Sequence, residues 1–437
     1  MSIFRLIFMS LPLVFVLNAS AQSVGVLEEV VVTAQKKEEN LQDTPIAITA
    51  ITESTIDDLD IANVVDLAGM APNVHIINTP SNNTAATIAM RGGVTINPAI
   101  TWEPTVGMYL DGVYIGKGQG SIFDVADLER VEILRGPQGT LYGRNTLGGA
   151  INLISKKPSG AGTSSKLTIG NYGLKQGQFI GDYSLGENVF AKLSLNQKSR
   201  NGYVGNAASP YQAAQGVVPN STSSHEELDT IDSKGMKFSL LFDGEDTSIN
   251  LSIDRTQQKN IPPFAQLTNT IPNWSAAFGV GASALTGGLK LWPIELFANE
   301  SRQDVAHINT QTLETSVVSG QSFTLTHDLG IGELKAIWSK RKVDWDDVLD
   351  LDGGPFPVAE TERHTKYSAE TLEIQLSGSS DSLEYVIGYY KLKDDAYTSN
   401  PQSYFGGQSA IAQNYSGTSD ANAFFGQVTW SVADKWD

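Results

Sequence analysis

Cysteine is absent from the 437-residue chain, which rules out a disulfide scaffold, a thiolate metal site and a cysteine nucleophile. Histidine is scarce. His75, His225, His307, His327 and His364 are scattered without a His-x-x-x-His spacing, and no metal site is expected. Positive charge is in deficit, with 30 Lys plus Arg against 48 Asp plus Glu and a formal net charge of −18, which opposes a basic face for nucleic acid. No Ser, His and Asp grouping and no nucleophile elbow appears, so neither enzyme activity nor a cofactor is expected. Beyond the N-terminus, no apolar run approaches the ~20 residues that a transmembrane helix requires.

What is present begins with Arg5 and the apolar run Leu6–Leu17, followed by Ala19-Ser20-Ala21, the small-x-small pattern at which a signal peptide is cut. Export with removal of residues 1–21 is expected. An exported chain with no helix to hold it is periplasmic, secreted or a membrane β-barrel. Residues 22–45 form a polar tail whose one β-branched patch, Glu28 to Ala34, precedes the charged run Lys36-Lys37-Glu38-Glu39; such a patch is a strand in search of a partner.

Residues 46–160 carry the short mixed elements of an α+β domain. Strands are predicted at 46–51, 74–78, 87–91, 106–110, 130–135 and 150–155, with short helices at 54–60 and 63–68 opened by Ser54 and Asn63. From 161 onward alternation takes over, as in Val189-Phe190-Ala191-Lys192-Leu193-Ser194-Leu195-Asn196 and in Leu372-Glu373-Ile374-Gln375-Leu376-Ser377, where a charge faces inward. Tight joints at 184–188, 243–246 and 377–381 alternate with long polar connections predicted at 200–231, 257–320 and 395–420. Short turns on one side and long loops on the other is the arrangement of an outer-membrane barrel. Tyr172, Tyr183, Trp338, Trp345, Tyr367, Tyr389, Tyr390 and Trp430 are candidates for its interfacial aromatic girdles.

The stretch from Arg130 through Arg135-Gly136-Pro137-Gln138-Gly139-Thr140-Leu141-Tyr142-Gly143-Arg144-Asn145, then Gly148-Gly149-Ala150-Ile151-Asn152, is the richest motif. Its glycines suit a strand that turns sharply and packs close to a surrounding wall. A phosphate loop is excluded, because Gly149 stands where the essential lysine of that motif should be. This stretch closely resembles the TonB-dependent receptor plug, and Met90-Arg91-Gly92-Gly93 and Tyr109-Leu110-Asp111-Gly112-Val113 are similar to two further plug motifs in the right order.

The resemblance implies an α+β plug inside a transmembrane antiparallel β-barrel of 22 strands. At roughly 25 residues per strand with its connection, about eleven strands are expected here, half a barrel. It implies a TonB box at Glu29, Val30, Val31, Val32, Thr33 and Ala34, lent as an added strand to TonB, which is driven by the ExbB–ExbD inner-membrane motor. Glu132, Arg135 and Arg144 match the plug half of a plug–barrel charge set. Position suggests Asn78, Asn82, Asn83, Thr101 and Trp102 as contacts for the imported ligand. A ferric siderophore complex is the expected cargo, with an oligosaccharide or another scarce nutrient as the alternative, and outer-membrane lipid the surroundings. The short spacer Gln22–Leu27 speaks against a signalling receptor. The ending at Asp434-Lys435-Trp436-Asp437 leads to the expectation of a truncated sequence, with a non-transporting remnant as one outcome.

Overall fold

The structure, a computed structural model, describes residues 30–61, 63–79, 81–96, 99–122, 127–207, 227–269, 298–355 and 357–431. The signal peptide expected at residues 1–21 and Glu29 of the expected TonB box lie outside the described residues.

The first part of the chain is built from short elements. Strands β1 (Val31–Val32) and β2 (Glu39–Asn40) pair antiparallel. β3 (Ile48–Thr52) leads into helix α1 (Glu53–Asp58) and a 3-10 turn at Val64–Leu67, then β4 (Val74–Asn78), β5 (Ala86–Met90) and β6 (Gly93–Val94) form a three-stranded sheet. β7 (Val106–Leu110), β8 (Val113–Ile115), β9 (Leu128–Arg135), helix α2 (Gly139–Tyr142) and β10 (Gly149–Ser155) follow. A central sheet of order β3-β9-β10-β7-β8 results, with β10 and β7 parallel.

Asn63 caps as its residue type predicts, accepting from Val65 N while Asp66 reaches back to Asn63 N. Ser54 does not cap: α1 starts one residue earlier, at Glu53, and its N-cap Thr52 makes no side-chain cap bond. β8 and α2 were not anticipated; three and four residues are too few to show a period. Val64, Leu67, Ile76, Met90, Ile133 and Ile151 lie in the core. Gly149 has a φ of +150°, and a Cβ there would fall 2.1 Å from Met90 Sδ and 2.2 Å from Leu134 O. That close approach is within the domain rather than against a wall.

The rest of the chain is one large sheet: β11 (Gly162–Ile169), β12 (Lys175–Ser184), β13 (Val189–Arg200), β16 (Ile231–Asp243), β17 (Thr247–Asn260), β19 (Leu313–Asp328), β20 (Glu333–Asp350), β21 (Ala359–Ser379), β22 (Leu383–Tyr404) and β23 (Ser409–Trp430). Every neighbouring pair is antiparallel. Between these strands, β14 (Val204–Asn206), β15 (Glu227–Leu228) and β18 (Val305–Ala306) make a small sheet of order β15-β14-β18.

Ten strands of the large sheet stand among the described residues, against about eleven expected, because the strands are longer than assumed, reaching 22 residues in β22 and β23. The long connection expected at 395–420 is not there. β22 and β23 run straight through it and join across residues 405–408, where Gly406 and Gly407 adopt φ of +67° and +85°. The stretch looked like a loop because both its faces are polar.

The sheet is inside out. Lys192, Ser194, Asn196, Glu314, Glu373 and Thr398 are buried on the face that carries the plug-like domain, while Leu195, Phe238, Leu251, Ile253, Ile387 and Phe424 are exposed on the other. A water-soluble sandwich would reverse this; a wall with lipid outside and a polar lumen demands it. The domain sits hard against that lumen face: a Cβ on Gly116 would land 2.0 Å from the Tyr367 hydroxyl. Trp345 and Tyr367, considered for the outer girdles, are instead buried on the lumen side beside Ile100.

Candidate functional site

Among the described residues, the inner domain meets the wall in two dense groups of contacts, one at each end, besides the pairs Lys192–Asp127 and Lys237–Asp111. At the tight-turn end, the tail folds back as a strand. Leu41 N donates to Val30 O at 2.9 Å, which extends the β1–β2 pair, and Lys36 N closes a turn on Thr33 O at 3.0 Å. Period-two alternation in β9 puts Val131 and Ile133 in the main core and turns Glu132 and Leu134 toward the tail. Glu132 is fully buried, and its carboxylate accepts from Thr33 N at 2.8 Å, Thr33 Oγ1 at 3.1 Å, Arg130 Nε at 2.9 Å and Asn152 Nδ2 at 3.3 Å. Val32 and Ala34 pack with Tyr109, Tyr114, Leu134 and Ala150.

The tail is tied to the wall by Lys36, whose ammonium lies 2.9 Å from Glu373 Oε1 on β21 and 4.9 Å from the Tyr142 ring centroid. Lys37 pairs with Glu384 of β22. Burial pushes the phenols of Tyr109, Tyr114 and Tyr142 well above their ordinary range, so they remain neutral donors. Burial alone would raise Asp111, yet Lys237 of β16, 2.5 Å away, holds its carboxyl below the usual value.

Among the described residues, the charge set expected to reach the wall makes no ion pair with it. Glu132 is consumed by the tail, Arg144 Nη2 pairs with Glu103 of the same domain at 2.8 Å, and Arg135 donates its backbone N–H to Ala47 O, its Nε being buried without a hydrogen-bond partner. The turn at Gly143, φ +77°, directs Arg144 toward the 99–105 loop rather than outward. The wall is met instead by Lys36 and Lys37 of the tail, by Asp111 and Asp127, which pair with Lys237 and Lys192, and by uncharged amides and hydroxyls.

Those amides belong to the β4–β5 tip at the long-loop end. Asn83 N donates to Glu314 Oε2 at 2.7 Å, and Thr84 N and Thr84 Oγ1 to Glu314 Oε1 at 3.1 and 2.5 Å. Trp345 Nε1 donates to Thr84 Oγ1 at 2.8 Å. Asn83 Nδ2 reaches Asp229 Oδ1 at 3.1 Å, and Asn82 Nδ2 lies 3.5 Å from Asp347 Oδ2, which Arg363 also holds. Asn82 is fully buried and Asn78 Nδ2 donates to Asn83 Oδ1 at 3.1 Å, so Asn82 and Asn83 serve the seam between domain and wall and Asn78 braces Asn83.

Thr101 and Trp102 are placed differently. Trp102 is 54% exposed and rims a cleft between β5 and residues 99–105, floored by Ile88, Met108 and Ile115 and edged by Thr87, Gln119 and Lys117. Thr101 is half-buried next to it, beside Gly417 of β23. Lys117 is buried, 3.1 Å from Glu103 Oε1 and 5.7 Å from the Tyr367 ring centroid. Nothing in its sequence neighbourhood marks Lys117, Glu314 or Trp345 as partners, since their contacts lie far away along the chain. A cleft with an apolar floor and a few convergent polar groups is the usual form of a small-ligand site.

On the same side, the turn at residues 351–358 carries a pH-sensitive feature. Asp352 accepts from Gly354 N at 3.0 Å and Ala359 N at 2.9 Å. Burial and then the neighbouring charge of Asp350 raise its carboxyl to about 8. A folded value above the unfolded one means its contribution is full in acid and is lost as pH rises through 8. Hydrogen exchange of the Gly354 and Ala359 amides is therefore expected to accelerate beyond the intrinsic rate as pH rises from about 4 to 8, and in Asp352→Asn that excess should vanish.

Comparison with known proteins converges on one family. Residues 40–150 match the model of the TonB-dependent Receptor Plug Domain. The catecholate siderophore receptor Fiu of Escherichia coli is 26% identical over 277 residues, covering 62% of this chain and 32% of that protein. The vitamin B12 transporter BtuB of Vibrio vulnificus is 28% identical over 164 residues, covering 36% of this chain and 26% of that one. In fold, the ferripyoverdine receptor of the outer membrane of Pseudomonas aeruginosa aligns with a TM-score of 0.69 at 15% identity, over 93% of this chain and 52% of that one. The chain thus spans about a third of the first curated relative and half of this solved structure.

Proposed function

The chain belongs to the TonB-dependent outer-membrane receptor family, and from that premise we propose that it serves in the energised import of a scarce solute, a ferric siderophore complex, across the outer membrane. In this reading residues 1–21 direct export, residues 22–45 carry the TonB box, residues 46–160 form the plug and residues 161–437 contribute barrel wall. TonB, with the ExbB–ExbD motor, pulls on the segment 29–34, which contains the strand β1 (Val31–Val32). The observation that carries the proposal is that this strand is already formed, yet held by a few replaceable contacts, the Thr33–Glu132 bonds and the Lys36–Glu373 pair, on a plug that fills the lumen face of an inside-out sheet. A pull there is delivered to both plug and wall.

The cargo half of the proposal is supported by the relatives, a catecholate siderophore receptor and a ferripyoverdine receptor among them. The Trp102 cleft suits a ring-bearing chelate, since stacking on an exposed indole contributes on the order of 1 kcal/mol. Uptake of radiolabelled ferric catecholate by cells expressing the chain, with and without TonB, is the test. TonB-dependent accumulation supports the proposal; accumulation of a labelled oligosaccharide but not of the iron complex would move the cargo to carbohydrate. Trp102→Ala is expected to weaken binding of the ferric complex by about fivefold to tenfold, measured as the midpoint of intrinsic fluorescence quenching, with little change in thermal stability because the side chain is exposed.

A further inference from the structure

The plug segment between the Trp102 cleft and the wall is thin. Residues 116–120 read Gly-Lys-Gly-Gln-Gly. Lys117, Gly118 and Gln119 line the cleft, and glycines occupy the close contacts of the strap. A Cβ on Gly116 would lie 2.0 Å from the Tyr367 hydroxyl, one on Gly118 3.2 Å from Ala86 O of β5, and one on Gly120 2.6 Å from Val318 Cγ2 and 3.1 Å from Val343 Cγ1.

The register puts these wall contacts in one row. Val318 of β19 lies across from Val343 of β20, and Val343 from Tyr367 of β21, so the strap crosses three wall strands at one height. Among the described residues, 116–120 make no hydrogen bond or ion pair with the wall; the polar contact there is Lys117 Nζ, 5.7 Å from the Tyr367 ring centroid. The stronger ties of Lys117 run to the cleft loop, to Glu103 Oε1 at 3.1 Å and Trp102 O at 3.5 Å. Elsewhere the plug is bound to the wall by Asp127–Lys192, Asp111–Lys237 and the Glu314 bonds.

Behind the strap the wall carries two buried polar side chains with unpaired atoms. Ser316 of β19 is 1% exposed and Gln258 of β17, across from it, 5%. Ser316 Oγ and Gln258 Oε1 have no hydrogen-bond partner among the described residues, and the Cβ position of Gly120 lies 3.5 Å from Ser316 Oγ. Buried groups of this kind are normally paired. Opening the seam here breaks no polar bond to the wall and gives these two groups partners.

We propose that residues 116–120 are a gate: the strap leaves the wall while the rest of the plug stays docked, and cargo passes from the cleft onto Ser316 and Gln258. There the serine hydroxyl donates to an oxygen of the cargo's organic shell, and Gln258 Oε1 accepts from an N–H or O–H of it. The proposal rests on the import reading, but its first readout does not require import.

The chain has no cysteine, so a single introduced thiol reports one position. Ser316→Cys is labelled with a small hydrophilic maleimide in cells with and without TonB and ferric catecholate. Ser194→Cys serves as reference, since Ser194 of β13 is 4% exposed on the plug-facing side. Labelling of Ser316→Cys should rise at least about tenfold when TonB and the complex are both present, and that of Ser194→Cys should not rise. No rise at Ser316→Cys means a fixed strap, and equal rises at both positions mean that the plug leaves as a whole; either result overturns the gate. G120C/V318C ties the strap to the wall: oxidised, it should still bind the complex but accumulate it about tenfold less, and a reductant should restore accumulation. Equal accumulation by its oxidised and reduced forms would also overturn the gate. Should this variant not fold, the labelling decides. Labelling without accumulation by the unaltered chain would keep the gate and sink the import reading; accumulation without labelling would do the reverse.

Discussion

Val32→Pro is expected to reduce energised accumulation of the ferric complex by about a hundredfold or more while leaving its binding to the cell surface unchanged. Proline removes the backbone donor of Val32 and fixes φ, and a strand added to a partner's sheet is held mainly by consecutive backbone groups. Val32 is fully buried beside Leu134, so the substitution also perturbs local packing. Val32→Thr separates the two effects: it keeps the donor and the branched shape, and its accumulation should stay near that of the unaltered chain. Binding and accumulation are measured on the same cells, at low temperature and after warming. Normal accumulation by Val32→Pro would sink the role given to residues 31–34.

The same contacts show how far the sequence could be read. The inside-out wall was legible because alternation is a local property: Leu372-Glu373-Ile374-Gln375 shows its two faces within four residues, and Glu373 does face the lumen, where it meets Lys36. The strand at Val31–Val32 was legible from its branched residues, although its partner Glu39–Asn40 was not, since a charged run gives no strand signal. Glu132 was read as a contact to the wall. The structure gives it to Thr33, 99 residues earlier in the chain, a pairing that depends on which face of β9 the tail covers. Asn82 and Asn83 were read as ligand contacts because asparagine in a loop suits either purpose; only the distant Glu314 and Asp229 decide between them. Trp102 is the candidate that geometry leaves facing a cleft.

Glu314 is the wall residue on which the plug apex depends most. One fully buried carboxylate accepts from Asn83 N, Thr84 N and Thr84 Oγ1, and Trp345 Nε1 lies 3.3 Å from the same oxygen. In Glu314→Ala these donors lose their acceptor inside a seam closed by Trp345, and each orphaned donor costs about 1–3 kcal/mol. A loss on the order of 4 kcal/mol in the docking of the β4–β5 tip is therefore expected. That is less than unfolding of the plug, whose core of Val64, Ile76, Met90 and Ile151 lies elsewhere. The outcome should be local: protease cleavage between residues 79 and 85 and exchange of the Asn83 and Thr84 amides should rise steeply, while strand content and the Lys36–Glu373 end remain as they were. Glu314→Gln keeps one acceptor oxygen and should lose less. If Glu314→Ala instead unfolds the whole plug, the apex seam and the core form one cooperative unit; if it changes neither cleavage nor exchange, the seam contributes nothing to docking and the plug is held from its tail.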